Sequence, residues 1–137
     1  MAKRASKSVA RSRQTPKPGV AVRGSTTGRP IMAALDLLGR RWALRVVWEL
    51  VPSRAGFREL QARCGDMSAS VLNTRLNELR DTGIVTLDSD GRWELTRLGR
   101  ELVDALKNLE FWSAGWAKEL AARKDAARPR AYPAARK

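Results

Sequence analysis

Histidine is absent from this 137-residue chain, and cysteine occurs once, tyrosine once and phenylalanine twice. Without histidine the chain lacks the side chain most used for proton transfer near neutral pH and the commonest metal ligand. The lone Cys64 rules out a disulfide within the chain and has no ligand partners for a zinc site. No phosphate-cradling glycine motif occurs, and the carboxylates are mostly interleaved with arginine, so neither catalysis nor a cofactor is expected. Apolar runs stay far below the ~20 residues of a membrane span, and no secretory apolar segment is evident. A cytoplasmic chain is the expectation.

Acidic residues are also scarce, 14 against 27 lysines and arginines, for a net charge of +13. The shortage is confined to the ends. Residues 1–30 hold eight basic residues and no acid, and residues 121–137 hold six basic residues against Asp125. Between them, thirteen basic residues are balanced by thirteen acids. A central region of zero net charge must bind any polyanion through placed side chains, whereas the ends attract phosphates without regard to sequence. If they neutralise ~6 phosphates, the slope of log affinity against log salt steepens by roughly 5. Both ends lack apolar periodicity and are rich in Lys, Arg, Ser, Ala, Gly and Pro, so they are expected to be disordered over 1–29 and 121–137. Residues 30–120 then form one small domain.

Within that domain, Phe57, Leu60 and Cys64 share a helical face, and Gly65-Asp66 stops the helix. Ser68 is a good N-cap, with Met67 and Leu72 placed to staple the start of a second helix running to Thr82. Val71, Leu72, Leu76 and Leu79 form its apolar stripe. Its other face carries Ser70, Asn73, Thr74 and Asn77, short donors and acceptors suited to base edges and phosphate oxygens, with Arg75 and Arg80 on the flanks. Taken alone, the same pattern fits an ordinary solvated face.

A hairpin follows, because Val85-Thr86-Leu87 and Trp93-Glu94-Leu95 alternate around Asp88-Ser89-Asp90-Gly91. Helix, turn, helix and wing in this order predict a mainly α fold with a small β-hairpin, the winged helix-turn-helix. Such a fold is expected to bind double-stranded DNA, with Ser70, Asn73, Thr74 and Asn77 at or near the bases, Arg75 and Arg92 on the backbone, and Ser68 at the start of the recognition helix also among the DNA-binding residues. Arg92 alternatively pairs with Asp90 or Glu94. Cys64 is expected in the core rather than as a sensor.

The flanking helices point to a homodimer. Pro30 opens one helix through Ile31, Ala34, Leu35 and Leu38 to Gly39, and another spans Trp42 to Val51. Thr96 caps a long helix carrying Leu98, Leu102, Ala105, Leu106, Leu109, Trp112, Trp116 and Leu120, a stripe of about six turns. One small core cannot cover it, and the tryptophans suit an interface. Ile31, Leu35, Leu109, Trp112 and Trp116 are the candidate dimer contacts.

The ordered set Ala34-Leu35-Asp36-Leu37-Leu38-Gly39, Arg41-Trp42, Phe57 with Glu59-Leu60, Met67-Ser68 with Leu72 and Arg75-Leu76, and Leu95-Thr96 with Leu98-Gly99-Arg100 resembles the HxlR-type winged-helix regulators, relatives of the MarR type. The resemblance covers roughly residues 30 to 120. It implies a transcriptional regulator that pairs through its terminal helices, setting two recognition helices about 34 Å apart on a pseudo-palindrome. Arg29 stands where many members carry a sensor cysteine, so no thiol switch is implied; the wing is shorter than usual, and Arg58 takes the cap position of the first motif helix. An architectural, nucleoid-type protein whose basic arms bind without sequence preference is the alternative. No small-molecule effector is indicated.

Overall fold

The computed structural model describes residues 14–129. Five helices and one hairpin follow in the order α1 (Pro30–Gly39), α2 (Ala43–Glu49), α3 (Phe57–Arg63), α4 (Ala69–Asp81), β1 (Val85–Leu87), β2 (Trp93–Leu95) and α5 (Arg97–Ala127). The described chain divides into two compact units, one ending at Val103 and the other beginning at Asp104.

The first unit has the expected fold. Pro30 opens α1, where a missing N–H costs nothing. Just after α3 and its C-cap Cys64, Gly65 and Asp66 both take positive φ (74° and 54°), so the chain reverses there before α4. Ser68 caps α4: its Oγ accepts from the Val71 N–H at 3.2 Å. The strands pair antiparallel with Val85 opposite Leu95 and Leu87 opposite Trp93. Leu60, Leu72, Leu76, Leu79, Val46, Val47, Val85 and Cys64 are fully buried and form the centre of the core. Those residues come from α2, α3 and its C-cap, α4 and β1, so the helix-turn-helix and the hairpin share one interior. Burial pushes the Cys64 thiol above its ordinary range, and the nearby Glu49 carboxylate adds to the effect.

Two features escape the sequence pattern. Ala55 pairs with Trp93 through reciprocal hydrogen bonds of 2.9 and 2.7 Å, adding a one-residue third strand to the hairpin. Trp42 sits at φ 75°, a left-handed conformation rare for a bulky residue, with the Arg41 guanidinium 5.7 Å above its ring. The cap of α3 also differs from expectation. Its N-cap is Gly56, and Arg58 is an exposed residue of the first turn.

Residues 14–29 differ from the expected disordered arm. Gly19 N–H donates to the Gly28 carbonyl at 2.8 Å, Val22 and Ser25 form a bridge, and Arg23 N–H donates to Asp36 Oδ2 at 3.1 Å. The Arg40 guanidinium reaches the Gln14 carbonyl at 2.6 Å, and Pro16 is buried. Polar backbone groups and one proline hold this segment, which is why apolar periodicity does not register it. Residues 1–13 and 130–137, the rest of the expected arms, lie outside the described residues.

The second unit is the continuing part of α5. Ion pairs at helical spacing, Lys107 with Asp104 at 2.9 Å and Arg123 with Glu119 at 2.8 Å, support it. Trp112 and Trp116 stack with centroids 5.5 Å apart and rings 13° from parallel. The helix continues past 120 to Ala127, where a disordered tail was expected. The physical reason is composition: Ala121, Ala122, Ala126 and Ala127 have the highest helix propensity, and Pro129 comes only afterwards. Among the described residues no helix is long and apolar enough to cross a membrane.

Candidate nucleic-acid interface

α4 carries two faces because its apolar residues recur at helical spacing. Leu72, Leu76 and Leu79 are fully buried, which turns Ser70, Asn73, Thr74 and Asn77 outward on the opposite side, all exposed. Ser68 is exposed at the helix start, its Oγ already engaged by the Val71 amide. The Thr74 hydroxyl donates to the Ser70 carbonyl at 3.0 Å, leaving it an acceptor toward any ligand. Among the described residues, no hydrogen bond within the protein occupies the side chains of Ser70, Asn73 or Asn77. The face therefore offers two carboxamides with full donor and acceptor capacity, flanked by two hydroxyls.

Arg75 is the exception among the expected contacts. Its Nε donates to the Arg41 carbonyl at 2.7 Å and its Nη1 to Glu78 at 2.5 Å, so the side chain is drawn off the exposed face. The reason lies in its position: Arg75 and Glu78 stand beside the Leu72-Leu76-Leu79 stripe, where charges persist only if paired. Glu78 is 7% exposed and also receives Arg40 at 3.2 Å, while Arg40 approaches Asp36 at 4.0 Å. This network was not foreseen. The signal available in the sequence was a Glu and an Arg three residues apart on the edge of an apolar helix face.

The wing tip is organised by Asp88. Its backbone N–H donates to the Arg92 carbonyl at 2.8 Å, and its Oδ1 accepts from the Asp90 and Arg92 amides at 2.9 Å each. Arg54 donates to its Oδ2 at 2.7 Å and also lies 3.8 Å from Asp90. Arg54 thus stands near Asp90, one of the two acids that the sequence offered as alternative partners of Arg92. Arg92 is exposed at the end of the turn and takes part in no ion pair among the described residues.

The Arg92 amide, joined by the Asp90 amide and the Arg54 guanidinium, holds the Asp88 carboxyl below the usual aspartate range, against a smaller opposing effect of desolvation. A depressed folded-state pKa contributes stability above the unfolded pKa that is lost as pH falls through the folded one. The tip is therefore expected to loosen only in acid. In an NMR titration the Asp90 and Arg92 amides should shift together with a midpoint below the ~3.9 of a free aspartate. A midpoint at or above that value would contradict the hydrogen-bonded arrangement.

The expected dimer contacts fall into two exposed apolar sets. Ile31 and Leu35 lie one turn apart on α1, and Leu109, Trp112 and Trp116 recur along the second unit, where Phe111 and Leu120 are exposed as well. Among the described residues no group of His, Cys, Asp and Glu is arranged to hold a metal ion.

Comparison with known proteins agrees with this architecture. The chain is 30% identical over 89 residues to the HTH-type transcriptional regulator YvaP of Bacillus subtilis, an alignment spanning 61% of this chain and 82% of the relative. Among solved structures, a MarR-family transcriptional regulator from Enterococcus faecalis superposes with a TM-score of 0.63 at 27% identity, covering 72% of this chain and 96% of that one. Quinone-bound YodB from B. subtilis superposes with a TM-score of 0.59 at 26% identity, covering 62% and 94%. The family model described as HxlR-like helix-turn-helix matches residues 37–121, from α1 through the wing and along most of α5. By fold and by this match, the chain belongs to the HxlR-like helix-turn-helix family of transcriptional regulators.

Proposed function

We propose that the chain acts as a homodimer that reads a pseudo-palindromic DNA site, with α4 as recognition helix in the major groove and the Asp88–Arg92 wing on the flanking backbone. The observation that carries this reading is the exposed carboxamide and hydroxyl face of α4, held rigidly by a fully buried stripe and an N-cap. Carboxamides suit the major groove because Asn can donate to and accept from one adenine edge at once. Ser68, Ser70, Asn73, Thr74 and Asn77 supply the contacts there, and Arg92 meets a phosphate or the minor groove. Arg75 orients α4 through two of its nitrogens and keeps the third for the backbone. The two exposed apolar sets, Ile31 with Leu35 and Leu109 with Trp112 and Trp116, form the pairing surfaces.

Fluorescence anisotropy of the full chain on DNA from upstream of its own gene and on a scrambled duplex, across a salt series, tests the reading. Asn73→Ala with Thr74→Ala is expected to erase most of the preference, on the order of tenfold or more at ~1–3 kcal/mol per base contact, while leaving the salt slope nearly unchanged. An equal loss on both duplexes would remove these residues from base recognition. Sedimentation of the full chain at micromolar concentration tests the pairing, which a monomer mass would refute. The segregation of the whole +13 charge to the chain ends favours the architectural alternative. That reading takes over if a fragment spanning 14–129 binds neither duplex and the full chain shows no preference.

A further inference from the structure

A cavity of about 580 Å³ opens beside α4, lined by Arg23, Arg40, Arg41, Arg75, Asp36 and Glu78. Four arginines face two carboxylates there, so the lining is net positive. Within it the charges are not equally committed. Arg40 is spent on Glu78, Asp36 and the Gln14 carbonyl, and two of the three Arg75 nitrogens are taken by Glu78 and the Arg41 carbonyl. Those contacts neutralise the two carboxylates. What remains is the charge of Arg23 and Arg41, whose guanidinium groups have no acceptor among the described residues. The Arg23 backbone is fixed by its amide on Asp36 Oδ2 at 3.1 Å, and the Arg41 guanidinium lies over the Trp42 ring.

We propose that this cavity binds a phosphoryl group through the Arg23 and Arg41 guanidinium groups, with the remaining Arg75 nitrogen as a third donor. One planar fork pairs bidentately with a carboxylate or a phosphate, but two forks and a third donor together need more acceptor oxygens than the two of a carboxylate, which a phosphoryl group supplies. A cleft that concentrates positive potential adds to the attraction. Thr74 lines the cavity and also belongs to the exposed face of α4, so a phosphodiester beside bases read by α4 would lie at its mouth. A free phosphomonoester shares the same chemistry. The DNA source rests on the reading of the chain as a DNA-binding regulator; the free source does not.

Two experiments on the full chain separate them. In the first, inorganic phosphate replaces chloride at constant ionic strength while the arginine Nε–H signals are followed by NMR, for the wild type and for Arg23→Ala and Arg41→Ala. In the second, binding to a random-sequence duplex is measured across a salt series for the same proteins and for Arg97→Ala, which removes an equal charge outside the cavity. Both cavity arginines are exposed, so the variants should fold, and a cooperative thermal transition checks this. A saturable phosphate response lost in both variants establishes a site for free phosphate. No such response, with a salt slope shallower by ~0.9 in both cavity variants but unchanged in Arg97→Ala, establishes a DNA backbone contact. No phosphate response together with slopes equal to that of Arg97→Ala overturns the proposal, leaving DNA binding by α4 to be judged on its own test.

Discussion

Replacing Gly99 by alanine is expected to destabilise the winged domain by about 3 kcal/mol, although the same exchange at most helical positions stabilises by up to ~1 kcal/mol. Gly99 is the third residue of α5 and is buried where the helix start crosses the hairpin. A Cβ there would lie 2.2 Å from the Ile84 carbonyl oxygen and 3.3 Å from Leu95 Cδ2. The first neighbour is backbone and cannot rotate away. It is also engaged, accepting from the Thr96 amide at 3.0 Å, while the Thr96 hydroxyl donates chiefly to the neighbouring Gly83 carbonyl at 2.5 Å. Thr96 Oγ1 in turn caps the helix by accepting from the Gly99 amide at 3.0 Å. The methyl group must therefore separate α5 from the strand entry and weaken the cap with it. At ~4–8 °C per kcal/mol for a domain of this size, the thermal midpoint should fall by roughly 12–24 °C. An unchanged or raised midpoint would show that helix and hairpin are not locked in this way.

The second large effect centres on Glu78. Its side chain is nine-tenths buried and sits between Arg40 and Arg75, whose side chains are 10% and 18% exposed. Glu78→Ala leaves two poorly solvated guanidinium groups without their carboxylate, a loss of about 3–5 kcal/mol for a broken buried pair. The intact network itself stabilises much less than that, since taking three charges out of water costs nearly what their attraction returns. Glu78 Oε2 is moreover buried without a donor, so one of the carboxylate's two oxygens gains nothing from its surroundings. A double-mutant cycle with Arg40→Met distinguishes pair from position. Coupling above about 1 kcal/mol is expected for charges in contact, whereas additive losses would show that Glu78 acts through packing alone. Glu78→Ala should also disturb Arg75, and with it the tie from α4 to the Arg41 carbonyl, so its effect on DNA binding is read only after the loss of stability is corrected.

Both sites show what the linear pattern carries and what it omits. Local features were legible: the Gly65-Asp66 stop, the Ser68 cap, the leucine stripe of α4 and the two strands of the hairpin all follow from residues within a few positions of one another. The exposed face of α4 was legible for the same reason, because burying Leu72, Leu76 and Leu79 fixes where Asn73 and Asn77 must point. The partners of Arg75 were not legible because the pattern gives its side of the helix but not what it meets there, one partner being a carbonyl 34 residues away. The Arg54 pairing to Asp88 spans the same separation, and the ordering of 14–29 depends on Asp36 and Arg40.

The sequence by itself determined the order of elements, the Ser68 and Thr96 caps, the turns, the apolar faces and the division of charge between centre and ends, since each rests on short-range periodicity or composition. Only the tertiary structure decided which cations are already paired, which glycine must lack a side chain and where a third strand residue joins the hairpin. Those outcomes depend on close approach between segments distant in the chain, and neither backbone contact nor charge pairing at that range leaves a periodic trace.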